Sequence, residues 1–184
     1  MVADRKTSLL GGLRGTVLEI GTGTAINLPF LSTGVRWIGL DPNPFLPPYV
    51  QASVRDSSIT AFFGAGVAEA LPAFNGSVDA VISTLVLCSV RDPAIALREV
   101  IRILKPGGRF VFIEHVAAPS GTSTRRWQTL VSPLWKWLGD GCHPDRETWR
   151  WIEAAGFADV QYEKFHLPLP VAGPHIAGFA VKGK

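Results

Sequence analysis

The sequence predicts an α/β fold built on a mostly parallel sheet, and three observations predict it. Apolar, β-prone runs alternate with helix-patterned segments from Thr16 to Val116, the order that generates right-handed strand crossovers. One run, Val78 to Leu87, is almost continuously apolar, as expected of a central strand covered on both faces. Another, Thr16 to Ile20, ends in closely spaced glycines at 21 and 23, and the next apolar run is closed by an acidic residue, Asp41.

The elements follow in order. Thr16 to Ile20 is a strand, and Ala25 to Leu31 reads as a short helix opened directly after the glycines. Val35 to Leu40 is the second strand; the prolines at 42, 44, 47 and 48 force a turn before a helix near Tyr49 to Asp56. Ile59 to Phe63 is the third strand, broken by Gly64 and Gly66, and Val78 to Leu87 the fourth. Asp92-Pro93 supplies an N-cap and a first-turn proline for a helix whose buried side is Ile95, Leu97, Val100, Ile101 and Leu104, stopped at Lys105-Pro106-Gly107-Gly108. Arg109 to Val116 is the fifth strand. A Trp-rich helical segment then runs from Thr124 to Leu138, interrupted by Pro133, and Asp145 to Ala155 is a helix capped by Gly156. Val160 to Phe165 and His175 to Val181 complete seven strands.

With 184 residues and no low-complexity linker, residues 1–184 are expected to form a single domain, with 1–12 a flexible lead-in and 117–144 a lid or acceptor-side insertion. An apolar fraction of 47% and a charged fraction of 18% exclude a disordered chain. The net charge is only +3 and the basic residues are scattered, which argues against nucleic acid as a partner. Two cysteines, Cys88 and Cys142, provide neither a disulfide framework nor a paired zinc motif, so no metal is assigned and a reducing compartment is expected. The chain as given has no spanning segment and reads as cytoplasmic, or membrane-associated if an anchor precedes it.

A strand feeding a glycine turn and a helix leaves backbone N–H groups free to face a ligand, and glycines at 21 and 23 let it approach the backbone closely. Asp41 is placed to accept hydrogen bonds from ribose hydroxyls. Those features suit either a nicotinamide dinucleotide or S-adenosylmethionine. Ile26 stands where the dinucleotide fingerprint has its third glycine, and Glu19 sets an anion near the loop, which suits a ligand carrying an ammonium and a sulfonium better than one carrying two phosphates.

From here the chain resembles the class I S-adenosylmethionine-dependent methyltransferases. VLEIGTGTA (17–25) is similar to their first motif, GLDPNP (39–44) to the second, GAGVAEALP (64–72) to the third, SVDAVISTLVL (77–87) to the fourth and REVIRILKPGGRFVFIEHV (98–116) to the segment through strand five. More narrowly, TLVLCSV, LKPGGRFVFIEHVAA, DGCHPDRETW and PHIAGFAVK resemble the methyltransferase-like seven group of alkyl-thiol S-methyltransferases. The resemblance implies a Rossmann-like seven-stranded sheet, mostly parallel, flanked by helices and with the last strand antiparallel. It implies S-adenosyl-L-methionine as cofactor and S-adenosyl-L-homocysteine as product. It places Glu19, Gly21, Thr22 and Gly23 about the methionine end, Asp41 at the ribose, Pro42 and Asn43 at the adenine border, Ala68 with its backbone on the adenine and Glu69 nearby, and Thr84 and Leu85 beneath the sulfonium. The chain departs from the pattern at Ala25, where the third loop glycine is usual, and at Val67, which often is an adenine-binding acid; thiol methyltransferases also carry a longer, anchored amino-terminal stretch.

Methyl transfer from a sulfonium is an in-line displacement in which the protein aligns reactants and excludes water. The titratable residues on the expected ligand side are Glu114, His115, Asp140 and His143, with Asp140 and His143 the leading pair as proton acceptor or orienting dyad. The alternative makes Asp140 a turn organiser and His143 a partly exposed helix-entry residue. Cys142 reads as a structural or substrate-contacting thiol, Cys88 as a small core residue, and His166 and His175 as structural. The stripe of Trp127, Leu130, Val131, Leu134, Trp135 and Leu138 reads as core and lid, with peripheral membrane contact the other use. The acceptor expected is a small apolar molecule, a thiol by resemblance. The alternatives are O- or C-methylation of a quinone-like or phenolic molecule, and a cofactor-binding module without activity. The oligomeric state is left open.

Overall fold

A computed structural model describes residues 2–139 and 141–184. The chain opens on α1 (Val2–Leu10), followed by β1 (Thr16–Ile20), a single 3-10 turn (Leu28–Phe30), β2 (Arg36–Leu40), α2 (Pro47–Arg55), β3 (Thr60–Gly64) and β4 (Val78–Thr84). It continues through α3 (Pro93–Ile103), β5 (Leu104–His115), α4 (Ser123–Leu138), α5 (Thr148–Ala154), β6 (Asp159–His166) and β7 (Pro174–Val181). The seven strands form one sheet in the order β3-β2-β1-β4-β5-β7-β6. Pairing is parallel from β3 through β5, and β7 runs antiparallel between β5 and β6.

Alternate residues of the central strands feed two cores. Leu18, Val81, Phe110 and Phe112 face the side covered by α3 and α5, whereas Val17, Ala80, Ile82 and Val111 face the side covered by α1, α2 and the 3-10 turn. The first side is closed by aromatic contact, the Phe110 and Phe157 rings stacking with centroids 5.8 Å apart. Because β1, β2, β4 and β5 are parallel, their carboxyl ends lie on one edge of the sheet and bring residues 21–23, 41–43, 85–88 and 115–117 together.

Several elements differ from the sequence reading, each for a local reason. The segment 25–31 is not an α-helix: Ala25 takes a left-handed φ of 61° and Pro29 offers no N–H, so only one 3-10 turn forms. The fourth strand stops at Thr84 rather than Leu87, because Leu85 is also left-handed, at φ 60°, and the next two N–H groups are taken by a side chain. The last helix begins at Thr148 rather than Asp145, since Arg146 reaches back to Leu87 and Val90. The front of the chain, expected as a flexible lead-in, contains α1, whose Leu10 is buried in the second core.

The Trp-rich segment forms one continuous helix through Pro133, and its apolar stripe is not core. Trp127, Leu130, Leu134, Trp137 and Leu138 are all more than half exposed, while the residues α4 buries are Gln128 and Ser132. Gln128 fixes this orientation: its amide accepts from Ala118 N at 2.7 Å and donates to the carbonyls of Val116 and Val171 at 3.3 and 3.0 Å. Among the described residues no helix is long and apolar enough to cross a membrane.

Candidate functional site

The glycine loop leaves β1 by turning sharply. Gly21 and Gly23 have φ of 60° and 53°, and the N–H groups of Gly21 and Thr22 both donate to Leu40 O, binding the loop to the end of β2. A Cβ on Gly21 would collide with the side chain of Val86, whereas one on Gly23 would meet nothing within 4 Å among the described residues. Thr22 is buried. The loop is thus packed tightly on one side and open on the other.

Asp41 joins this loop to the next. It is 8% exposed, its Oδ2 accepts from Gly23 N at 3.0 Å, and its Oδ1 accepts from Asn43 N at 2.9 Å, an Asx turn that carries the chain past Pro42. Asn43 Oδ1 in turn accepts from Phe45 N at 3.0 Å, and Pro42 and Asn43 are exposed. Ala68 is buried beside Leu40 in the first core, within the short turn bridged by Val67 and Ala70. Glu69 accepts from Arg91 N at 2.7 Å and Asp92 N at 3.3 Å, bracing the entry to α3.

Two buried carboxylates hold the frame rather than face outward. Glu19 accepts from Asn27 Nδ2 and Trp37 Nε1, each at 2.7 Å, and burial pushes its carboxyl up to about 7 although both hydrogen bonds and the Lys6 ammonium oppose the shift. Asn27 also donates to Thr84 Oγ1 at 3.0 Å, tying β4 to the loop, and its Oδ1 is buried with no hydrogen-bond partner among the described residues. Glu114, at the end of β5, accepts from Ser83 Oγ and from the N–H groups of Val86 and Leu87 at 3.0 and 3.1 Å. Burial raises it, too, to about 7 against those hydrogen bonds. This carboxylate makes the turn after β4 and holds Leu85, half exposed, in its left-handed conformation over the crevice.

The far side of the crevice is built from β5 and the segment after α4. Arg146 donates to the carbonyls of Leu87 and Val90 at 2.6 and 2.8 Å, and His143 N donates to Cys88 O at 2.9 Å. The His143 imidazole is pulled down by burial and by the cations Arg146 and Lys136. Asp140, its expected companion, lies outside the described residues. Cys88, His115 and Cys142 converge, one ligand atom of each lying within 4.8 Å of the others. Within this pair of thiols Cys142 ionises the more readily, drawn down to about 5 by contact with Cys88 and His115, and Cys88 is correspondingly raised. Cys88 and Cys142 stand 54 positions apart, so the sequence carries no spacing signal for a cluster that only the sheet edge assembles. Beside it, Val116, Ala117, Trp149, Phe165 and His175 line an apolar cleft of about 400 Å³.

Comparison with known proteins agrees with this geometry. The methyltransferase domain family matches residues 18–112. Thiol S-methyltransferase TMT1B of Rattus norvegicus is 43% identical over 173 residues, which span 91% of this chain and 70% of that protein. Thiol S-methyltransferase TMT1A of Homo sapiens is 40% identical over 172 residues, covering the same shares of the two chains. Among solved structures, the YcgJ protein of Bacillus subtilis superposes with a TM-score of 0.81 at 18% identity over all of this chain and 98% of its own, a likeness of fold. The glycine loop, the Asp41 clasp and these relatives together place the chain in the methyltransferase domain family, within the thiol S-methyltransferase group, as an S-adenosylmethionine-dependent methyltransferase.

Proposed function

We propose that the chain moves a methyl group from S-adenosyl-L-methionine to the thiol of a small apolar acceptor, releasing S-adenosyl-L-homocysteine. The observation that carries the reading is the crevice at the carboxyl edge of the sheet, where the Gly21–Gly23 loop packs on Val86 of the turn after β4 and is clasped by Asp41. Its residues fit the cofactor: open space over Gly23 admits a ligand against the backbone, and the unpaired Asn27 Oδ1 offers a buried acceptor next to Thr84. The cofactor, when bound, supplies a methyl carbon made electrophilic by its sulfonium.

The protein's own residues align the reactants. Asp41 keeps lone pairs for ribose hydroxyls beyond those used by Gly23 and Asn43, Pro42 and Asn43 border the adenine, and the Ala68 backbone meets its ring, with Glu69 holding that turn to α3. Glu19 sets the loop from behind, and Thr84 and Leu85 form the floor under the sulfonium. A free thiol of pKa about 8.5 is mostly protonated at neutral pH. His143, kept neutral, takes that proton, with Asp140 as its companion. The apolar cleft and the segment 117–144, with the exposed side of α4, receive the acceptor's body.

The test is product analysis after incubation with S-adenosylmethionine and a mixture of alkyl thiols and phenols. The expected product is a methyl thioether in equal amount to S-adenosylhomocysteine. Methylated phenols or quinone-like carbons alone would assign the other acceptor class, and binding without turnover would assign a cofactor-binding module. Asp41→Ala is expected to weaken cofactor binding by about tenfold or more, since a buried acceptor for hydroxyl donors and the clasp on Gly23 go together.

A further inference from the structure

The cluster formed by Cys88, His115 and Cys142 is left without a part in that reading. Each residue comes from a different element and each is fixed. Cys88 sits in the turn that Glu114 and Arg146 hold, its Sγ 3.7 Å from Leu85 O. His115 ends β5, is 3% exposed, and presents Nδ1 to Cys142 Sγ at 4.0 Å, while its Nε2 is buried with no hydrogen-bond partner among the described residues. Cys142 lies in a turn closed by its own N–H to Gly139 O at 3.0 Å and held against Cys88 by the next residue's N–H.

Two sulfurs and an imidazole nitrogen make a donor set for a thiophilic, borderline-soft cation. Zinc bonds to sulfur at about 2.3 Å and to nitrogen at about 2.0 Å, so tetrahedral ligand atoms stand roughly 3.5 to 3.8 Å apart. The separations here need to close by only about an ångström. Three protein ligands are the number that zinc sites of catalytic type use, leaving a fourth position open. The cluster adjoins the cofactor side of the molecule: Cys88 contacts Leu85, and Val86 between them packs on Gly21.

We propose that Cys88, His115 and Cys142 bind a zinc ion whose fourth position takes the acceptor's sulfur. The proposal rests on the thiol reading above. The acceptor's S–H bond breaks as its sulfur replaces water on zinc, and the proton leaves to solvent water. A lone pair of the bound thiolate then forms the new S–CH3 bond while the methyl–sulfonium bond breaks, its electron pair staying on the departing thioether. The product is a neutral thioether, a weaker ligand, and leaves. No electron is gained or lost overall.

The test uses the full chain, reduced with a phosphine and stripped of metal by chelation, then titrated with cobalt(II) and zinc(II). One equivalent of cobalt should bind with the visible bands of a tetrahedral site and a sulfur-to-cobalt charge-transfer band, zinc should displace it, and an added alkyl thiol should shift the visible bands. Cys142→Ser and His115→Ala should each weaken binding by at least about tenfold. Absence of a stoichiometric cobalt signature in the unaltered chain, or an unchanged one in the Cys88→Ser/Cys142→Ser double variant, overturns the site. A disulfide between the cysteines that reforms in the presence of zinc overturns it as well. Thioether formation undiminished in metal-free enzyme removes the ion from the reaction and leaves the methyltransferase reading intact. A tetrahedral cobalt site indifferent to thiols, with no thioether product, rejects the thiol as its ligand.

Discussion

Glu114 and Glu19 are acidic residues used as scaffolding, and their cost is a pH dependence. Both carboxyls stand near 7 in the folded chain against 4.5 as the ordinary value, so between those limits the folded state holds protons that the unfolded state releases. The contribution of each is greatest below that window and is lost as the pH rises through it, on the order of 3 kcal/mol apiece. His143 and His175, both lowered, act in the opposite sense near their own titration. The clean measurement is therefore a difference: urea unfolding of the native chain and of Glu114→Gln from pH 5 to 8. The native chain should lose stability relative to the variant as the pH rises. Gly21 gives a second residue-scale expectation. Gly21→Ala meets both a left-handed φ and the Val86 side chain, and should lower stability by about 1 to 3 kcal/mol while weakening cofactor binding in a calorimetric titration. The glycine and Asp41 were legible because loop chemistry is local; Glu114 as the maker of a turn was not, since its partners are 27 to 31 positions away.

At the scale of elements, α4 shows how a hydrophobic pattern can mislead. Its Trp and Leu residues recur at helical spacing, which in a helix of this length usually marks the buried stripe. Here the buried positions are polar, because the segment after β5 and the turn between β6 and β7 present two carbonyls and one N–H that need partners more than they need apolar cover. Gln128 meets all three. Gln128→Ala should cost about 2 kcal/mol or more in denaturant unfolding by orphaning those groups, whereas Leu130→Ser on the exposed side should change stability by less than about 0.5 kcal/mol. The reverse pattern would show that α4 packs by its apolar side. In α3 the cap and part of the pattern hold: Asp92 accepts from Ala94 and Ile95 N–H at 2.8 and 3.1 Å as an N-cap, and Leu97 and Val100 are buried, but Ile95 is exposed, Ile103 takes the buried place at the end of the helix, and Leu104 is buried as the first residue of β5.

For the molecule as a whole, the crevice exists because four parallel strands end on one edge, so a ligand there touches segments that are otherwise independent. Cofactor binding should accordingly stabilise the entire chain. At a hundred times its dissociation constant S-adenosylmethionine should add about 2.7 kcal/mol, and NAD nothing, in paired thermal-unfolding scans. Equal stabilisation by NAD would return the site to the dinucleotide class. The α/β class, the seven strands, the glycine loop with Asp41 and the family were determined by the sequence alone, because periodicity, turn chemistry and ordered motifs are written within short windows of chain. Tertiary structure decided what α4 buries, where the fourth strand ends, and that Cys88, His115 and Cys142 meet. Those outcomes depend on which strand lies beside which and on which buried polar groups lack partners, and neither is fixed until the sheet has closed.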